Sequence, residues 1–446
     1  MKWLKGLSIV LAVLLVIGAA LPFFIRLDHY IPRIEKEASA RLGEPVSIKS
    51  IRFAALPLPH VKIDGITIGT TDDIRLGKVL VTPDLLSLLQ STRAIKSVEI
   101  DSLALTQKAL DRIPGWARPP GQLPPFRVES VRLSNARIML GTAGFGPFDA
   151  HISLDGNGAP VDASITTGDG KLKAHIKPGP SGYLIDATAK AWTPPVGPAL
   201  VFDELTVTGV ATLNDADLSQ VSAKLYGGTA SGKATVSWQK GLRLNGSLDV
   251  SEVETQKIAA MLSSKTHVSG RLSAKPVFSA AAPSAGHLIN ALRLEAPFDV
   301  QNGVLHGIDI QKAAAGLMGM GATGGETRFE HLSGHLVMER GSYRFTQLRI
   351  TSGALAADGQ VTVSPKKALS GRVNARLTAT GSSAHVPLNV AGTVDAPLLY
   401  PTGGTVAGAA VGTVIMGPGF GTSVGATVGG WAESLFGGTD EKAPKK

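Results

Sequence analysis

From Leu242 to Val250 the chain alternates: Leu242, Leu244, Gly246, Leu248 and Val250 fall on one side, Arg243, Asn245, Ser247 and Asp249 on the other. A period of two marks a strand with one apolar and one polar face. The same alternation runs through Ala230–Trp238, which carries Val236. It recurs in Leu369–Leu377, with Val373 and Leu377, and in Val386–Val394, with Leu388 and Val390. Asn135, Asp155-Gly156, Gly227-Gly228, Asn302-Gly303 and Asp358-Gly359 punctuate these runs and predict turns. Strands joined in sequence by short turns pair antiparallel. The expected fold is mainly β, an antiparallel sheet with a few short helices.

Helical signals are sparse. Ile34, Ala38 and Leu42 form one stripe, with Pro32 near its start and Gly43 at its end. Thr82 as N-cap, then Pro83, Asp84 and Leu85–Leu89, predicts a second helix. Val253–Ser264 and Ile310–Met318 are further candidates. These helices are too few to cover the apolar side of a long sheet. Either the sheet folds on itself or it leaves an apolar trough. On the trough reading Leu242, Leu244, Leu248, Val250, Val236, Val373, Leu377, Leu388 and Val390 line it.

Gly6 to Ile25 carries no charge, and about 20 apolar residues cross a bilayer core as a helix. Lys2 and Lys5 precede it, which keeps the N-terminus cytoplasmic and exports the rest. The run exceeds the apolar core of a cleaved signal peptide, although Gly18 and Ala20 would suit a cleavage site. At the other end, Ala396 to Ala432 is uncharged. Gly404, Gly408 and Gly412 are spaced by four, as are Gly417, Gly421, Gly425 and Gly429. That spacing lets two helices approach closely in lipid. A membrane-dipping hairpin around Pro418, with Trp431 at the interface, and a flexible Gly-rich tail are both open readings.

Composition narrows the chemistry. With no Cys among 446 residues, disulfides and thiolate sites are excluded. Aromatics make up 5%, and the Lys and Arg behind a net charge of +9 are spread along the chain, which disfavours nucleic acid and suits an anionic membrane surface. Gly227–Ala234 is one residue short of a P-loop, lacks its hydroxyl and leads into a strand pattern. Gly319–Gly324 matches G-x-G-x-x-G but follows a helix pattern instead of opening one. His331 and His335 stand four apart on a strand pattern, with no Glu between them. Asp72-Asp73 and Asp203-Glu204 read as solvated pairs beside turns. No catalytic constellation, metal site or cofactor is implied, and the protein reads as a non-enzyme.

The order of several segments resembles the AsmA family. After the membrane segment come Ala40-Arg41-Leu42-Gly43-Glu44-Pro45-Val46, the strand Ser47–Ile51, Pro57-Leu58-Pro59, Val61–Ile68, and Pro83–Leu89 before Ile95–Leu105. Leu42 departs from the hydroxyl residue common there. The C-terminal likeness runs from Phe298-Asp299-Val300 through Gly307-Ile308-Asp309-Ile310, Thr327-Arg328-Phe329, Leu332-Ser333-Gly334, Gly341-Ser342-Tyr343 and Gly359-Gln360-Val361 to Gly392-Thr393-Val394 and Pro397. The resemblance implies an elongated, grooved β-sheet in the periplasm, anchored in the inner membrane, that moves phospholipid towards the outer membrane. It supplies no catalytic residues. The alternative is a membrane-tethered scaffold with a closed β core, which binds envelope-assembly proteins and no lipid. The expected organisation is an anchor at 1–27, a helix-plus-strand unit at 28–120, a middle sheet at 121–285, a C-terminal β region at 286–402 and the Gly-rich tail at 403–446.

Deleting 403–432 is expected to leave the periplasmic part folded and lipid-binding but to abolish function in cells. Complementation beside a lipid-binding assay measures this, and full activity of the deletion would make the tail a passive extension.

Overall fold

The computed structural model describes residues 27–402 apart from 55–57, 72, 86, 88–92, 113–126, 141–142, 196–197, 240, 260–262, 264, 284, 316–322, 354 and 380–381. The expected membrane anchor, the glycine-spaced tail with Trp431, the Pro114–Pro125 stretch and most of Gly319–Gly324 lie outside the described residues. Among the described residues the fold is mainly β, with 23 strands and a few short helices. It divides into two compact units. One holds the chain up to Gln220 with Val236–Leu242 and Ala282–Ile289; the other holds Val221–Thr235, Arg243–Ala281 and everything from Asn290. The division falls inside the expected middle segment.

The N-terminal unit opens with helix α1 (Ile31–Leu42), ended by Gly43 in the left-handed conformation, φ 69°. Strand β1 (Val46–Ala54) follows, and three of its amides are satisfied by the segment just before it. Val46 N–H donates to Ser39 Oγ (2.9 Å), Ile48 N–H to Glu35 Oε1 (2.7 Å) and Ile51 N–H to Asp28 Oδ1 (3.1 Å). This occupies groups with which a first strand could pair to another chain. Next come β2 (His60–Ile68), β3 (Ile74–Pro83) and β4 (Ala94–Thr106), each antiparallel to the one before.

Helix α2 (Gln107–Arg112) then starts a crossover, so that β5 (Arg127–Val128) and β6 (Ser130–Leu140) run parallel to β4. This corrects the expectation of an all-antiparallel sheet: Thr106 to Arg127 is too long for a hairpin and returns the chain in the same direction. Meandering strands β7 (Ala143–Leu154), β8 (Pro160–Thr167), β9 (Leu172–Gly179), β10 (Gly182–Trp192) and β11 (Phe202–Ala211) complete the ladder. The expected helix start at Thr82 is instead a strand end. Thr82 and Pro83 close β3, opposite Ser97 and Ile95, and Ser87 Oγ fixes the turn by donating to Asp84 O and accepting from Ala94 N–H.

Strand β12 (Asp215–Leu225) straddles the division. In the C-terminal unit a Tyr226-Gly227 turn, with φ 47° and 77°, leads into β13 (Gly228–Ser237) and β14 (Leu242–Glu254). Val253 belongs to this strand and not to the expected helix. Glu252, at φ 57°, inserts a bulge that turns Val253 into the core at 1% exposure, and helix α3 begins after it, at Thr255–Ala259 among the described residues. Strands β15 (His267–Ala274) and β16 (Val277–Ala282) both pair with β17 (Arg293–His306), beyond the short helix α4 (Ala285–Leu288). They are one lane broken at Pro276, which has no N–H to give the ladder.

Helix α5 (Ile310–Ala315) and strands β18 (Glu326–Glu339), β19 (Ser342–Ser352), β20 (Leu355–Val363), β21 (Leu369–Ala379), β22 (Ser382–Thr393) and β23 (Ala396–Pro401) finish the unit. Asp309 caps α5, its Oδ1 accepting from Lys312 N–H at 2.8 Å. The helix packs on β18, β21, β22 and β23. Laid flat, β18 and β23 would stand about 24 Å apart, while six helical residues are about 9 Å long. The sheet of this unit therefore curls around α5. Ser263 Oγ, ahead of β15, donates to Asp395 Oδ1 in the β22–β23 turn (2.7 Å), tying both ends of the curl.

Curvature explains three positions that differ from the expected turns. Asn135 (φ 52°) and Asn302 (φ 50°) are bulge residues inside β6 and β17, each at a register shift. Asp358-Gly359 lies within β20. A Cβ on Gly359 would collide with the Arg372 carbonyl, and one on Gly371 with the Gln360 carbonyl, so the two strands approach more closely than side chains allow.

One of the turn acids is not solvated as expected. Asp73 is only 5% exposed and pairs with Arg112 at the end of α2. Arg112 also grips Glu44, and Lys108 lies 3.6 Å from Asp73. The Thr71 hydroxyl, donating at 2.7 Å, holds the Asp73 carboxyl below its ordinary 3.8; burial opposes this, and Arg112 and Lys108 add to it. Because the folded value is the lower one, the stabilisation is complete above the unfolded value and lost as pH falls through the folded one. Melting curves are predicted to shift down between pH 5 and pH 3 in the parent, and to shift less in Asp73→Asn.

Candidate functional site

Register lines the N-terminal unit's side chains up across its whole width. One row runs Ile51, Ile63, Val79, Ile100, Leu133, Ala150, Ile165, Ala174, Ala187, Val207, one residue from each of ten paired strands. A second runs Phe53, Val61, Val81, Val98, Val131, Ile152, Ala163, Ile176, Ile185, Gly209. Between them, on the opposite face, lie Arg52, Lys62, Leu80, Glu99, Arg132, His151, Ser164, His175, Asp186 and Thr208. A slip of one residue in any strand would put its polar side chains into the apolar rows. Nine inter-strand steps make the apolar face about 43 Å across.

That face is only partly covered. Helix α1 packs on β1, and α2 packs on β4 and β6. Ile51 at 2% and Val79 at 6% are buried. Towards β11 the larger side chains Ile152, Ile165, Ile176, Ile185 and Val207 are all half-buried.

The C-terminal unit uses the same alternation differently. Its row Leu272, Val300, Leu332, Ile350, Ala357, Ala375, Val386 is continuous across seven strands. Here Ile310 and Ala313 of α5 insert at 3% and 1% exposure and complete a sealed core with Leu355, Leu388, Val390 and Leu399. Three Phe side chains fill the space above strand glycines: Phe278 over Gly246, Phe329 over Gly303 and Phe298 over Gly334.

The sequence-derived trough residues divide accordingly. Leu388 (0% exposed) and Val390 (7%) are core and offer no surface for a ligand to cover. Val373 and Leu377 are half-buried and pack against that core. Leu244, Leu248 and Val250, also of this unit, and Val236 and Leu242, of the N-terminal one, are half-buried. Sequence periodicity does not reveal the N-terminal rows as a surface. Their strands mix Ala and Ile in short runs, and the continuous line emerges only from cross-strand register, which no single strand displays.

The remaining motifs hold no chemistry here. Lys233 is exposed on β13, and His331 stands 3.8 Å from Asp299 on the neighbouring strand. Among the described residues no group of three or more His, Asp or Glu could hold a metal, and no helix is long and apolar enough to cross a membrane. Comparison with family models, with curated proteins and with solved structures finds no match to this chain.

Sealed and open faces respond differently to truncation. Leu388→Ala is expected to cost about 2–5 kcal/mol, as for a filled core. Ile176→Ala should cost about 1 kcal/mol or less, since its side chain is only half-buried. Urea unfolding of the two variants measures the difference, and equal losses would mean that both faces are sealed.

Proposed function

We propose that the protein is an inner-membrane-anchored periplasmic protein that holds phospholipid acyl chains along the apolar face of its N-terminal unit. On this reading it supports lipid transport to, or assembly of, the outer membrane, as the AsmA resemblance implies. The observation that carries it is the pair of apolar rows across ten strands, whose larger side chains on β7 to β11 are only half-buried. Each CH₂ taken out of water contributes about 0.8 kcal/mol, so a chain is held without a specific ligand residue. An acyl chain spans half a bilayer core, about 15 Å; a face about 43 Å across accommodates more than one in file. An elongated, curved sheet forming an apolar groove is the form this function requires.

A second reading draws on the sealed C-terminal unit: a tethered scaffold that binds envelope-assembly proteins and carries no lipid. Photocrosslinking amino acids placed in the full-length, detergent-solubilised protein separate the two. Ile176 and Ile165 are predicted to crosslink to phospholipid, and His175 and Arg243 to remain unlabelled. Labelling at His175 and Arg243 alone would invert the face, and no labelling anywhere would favour the scaffold.

A further inference from the structure

One cleft of the N-terminal unit borders the apolar face. It has a volume of about 290 Å³ and gathers Phe145, Pro147, Thr167, Asp169, Lys171 and Trp192 from the tips of β7, β8, β9 and β10. It adjoins the apolar rows through two of these residues. Phe145 is the cross-strand partner of Ile138, and Thr167 lies two residues beyond Ile165 on the same face of β8.

The polar half of the cleft is held in place. Asp169 accepts from the Thr167 hydroxyl at 2.7 Å and from Lys171 N–H at 3.1 Å. Thr167 Oγ1 in turn accepts from Leu172 N–H at 3.0 Å. The Thr167 hydroxyl and the Lys171 amide keep the Asp169 carboxyl below its ordinary value, so it is an anion at neutral pH. Lys171 Nζ stands 4.0 Å from Asp169 Oδ2, and both side chains are about half exposed. Adjacent opposite charges beside an indole are the complement of a zwitterion. The carboxylate and the ring face favour an ammonium, and the lysine favours a phosphate.

We propose that this cleft recognises the phosphoethanolamine-type headgroup of a zwitterionic phospholipid whose acyl chains lie on the adjoining apolar face. The inference rests on the acyl-chain reading above and adds headgroup selectivity to it. An anionic headgroup without an ammonium would draw Lys171 to its phosphate and leave the Asp169 carboxylate beside it with no cation of the ligand's own, so the same residue selects against it.

The test uses full-length protein carrying a photocrosslinker at Ile176, offered vesicles of phosphatidylethanolamine or of phosphatidylglycerol. The parent is expected to capture the first over the second by roughly tenfold, the scale of an exposed cation–π contact together with an exposed ion pair. Asp169→Asn should bring the ratio to within about twofold by raising phosphatidylglycerol capture, and Trp192→Leu by lowering phosphatidylethanolamine capture. The second variant guards against a local folding defect in the first. Equal capture of both lipids by the parent overturns the headgroup site and leaves the acyl-chain reading standing. Absence of capture overturns both. If soluble glycerophosphoethanolamine abolishes the selectivity at concentrations matching the lipid, the cleft serves a free metabolite and the lipid assignment fails.

Discussion

An extended strand turns alternate side chains to opposite faces, so a sheet with an alternating sequence owns an apolar face as wide as its strand count. Something must cover that face or bind to it. This single constraint governs both units, since each lines up its apolar residues in unbroken cross-strand rows. The rows hold only because register is kept strand after strand, and bulges at Asn135, Glu252 and Asn302 restore it where the sheet bends.

The C-terminal unit meets the constraint internally. Six residues of α5, capped by Asp309, suffice because the sheet bends around them. The bending depends on Gly359 and Gly371 letting β20 and β21 close in, and on phenylalanines filling the space above other glycines. The low aromatic content follows the same logic: in a curled single layer, large rings are placed where a glycine leaves room. The N-terminal unit has no such plug on β7 to β11 among the described residues, and the isoleucines Ile152, Ile165, Ile176 and Ile185 there are only half-buried.

Much of this was legible in the sequence. The alternation placed β13 and β21 within two residues at each end, and β14 and β22 within one residue at one end and four at the other, and the shortage of helices posed the covering problem. What failed did so for identifiable reasons. Asn and Gly inside long strands read as turns because the same left-handed conformation serves a turn and a bulge. Pro83 reads as a helix start, though it ends a strand. Asp73 reads as solvated because its partner Arg112 lies far along the chain, after β4. Alternation alone does not separate a sealed face from an open one: Leu388 and Leu244 share one strand pattern, and only α5 separates their fates.

The absence of cysteine makes the central claim directly measurable, because single cysteines can be introduced without background. Maleimide labelling of Ile176→Cys and His175→Cys compares neighbours on opposite faces of β9. If the N-terminal face is an open surface for acyl chains, both react in delipidated protein, and phospholipid protects Ile176→Cys while leaving His175→Cys reactive. An Ile176→Cys thiol that is inert without lipid, or equally reactive with and without it, would contradict the account.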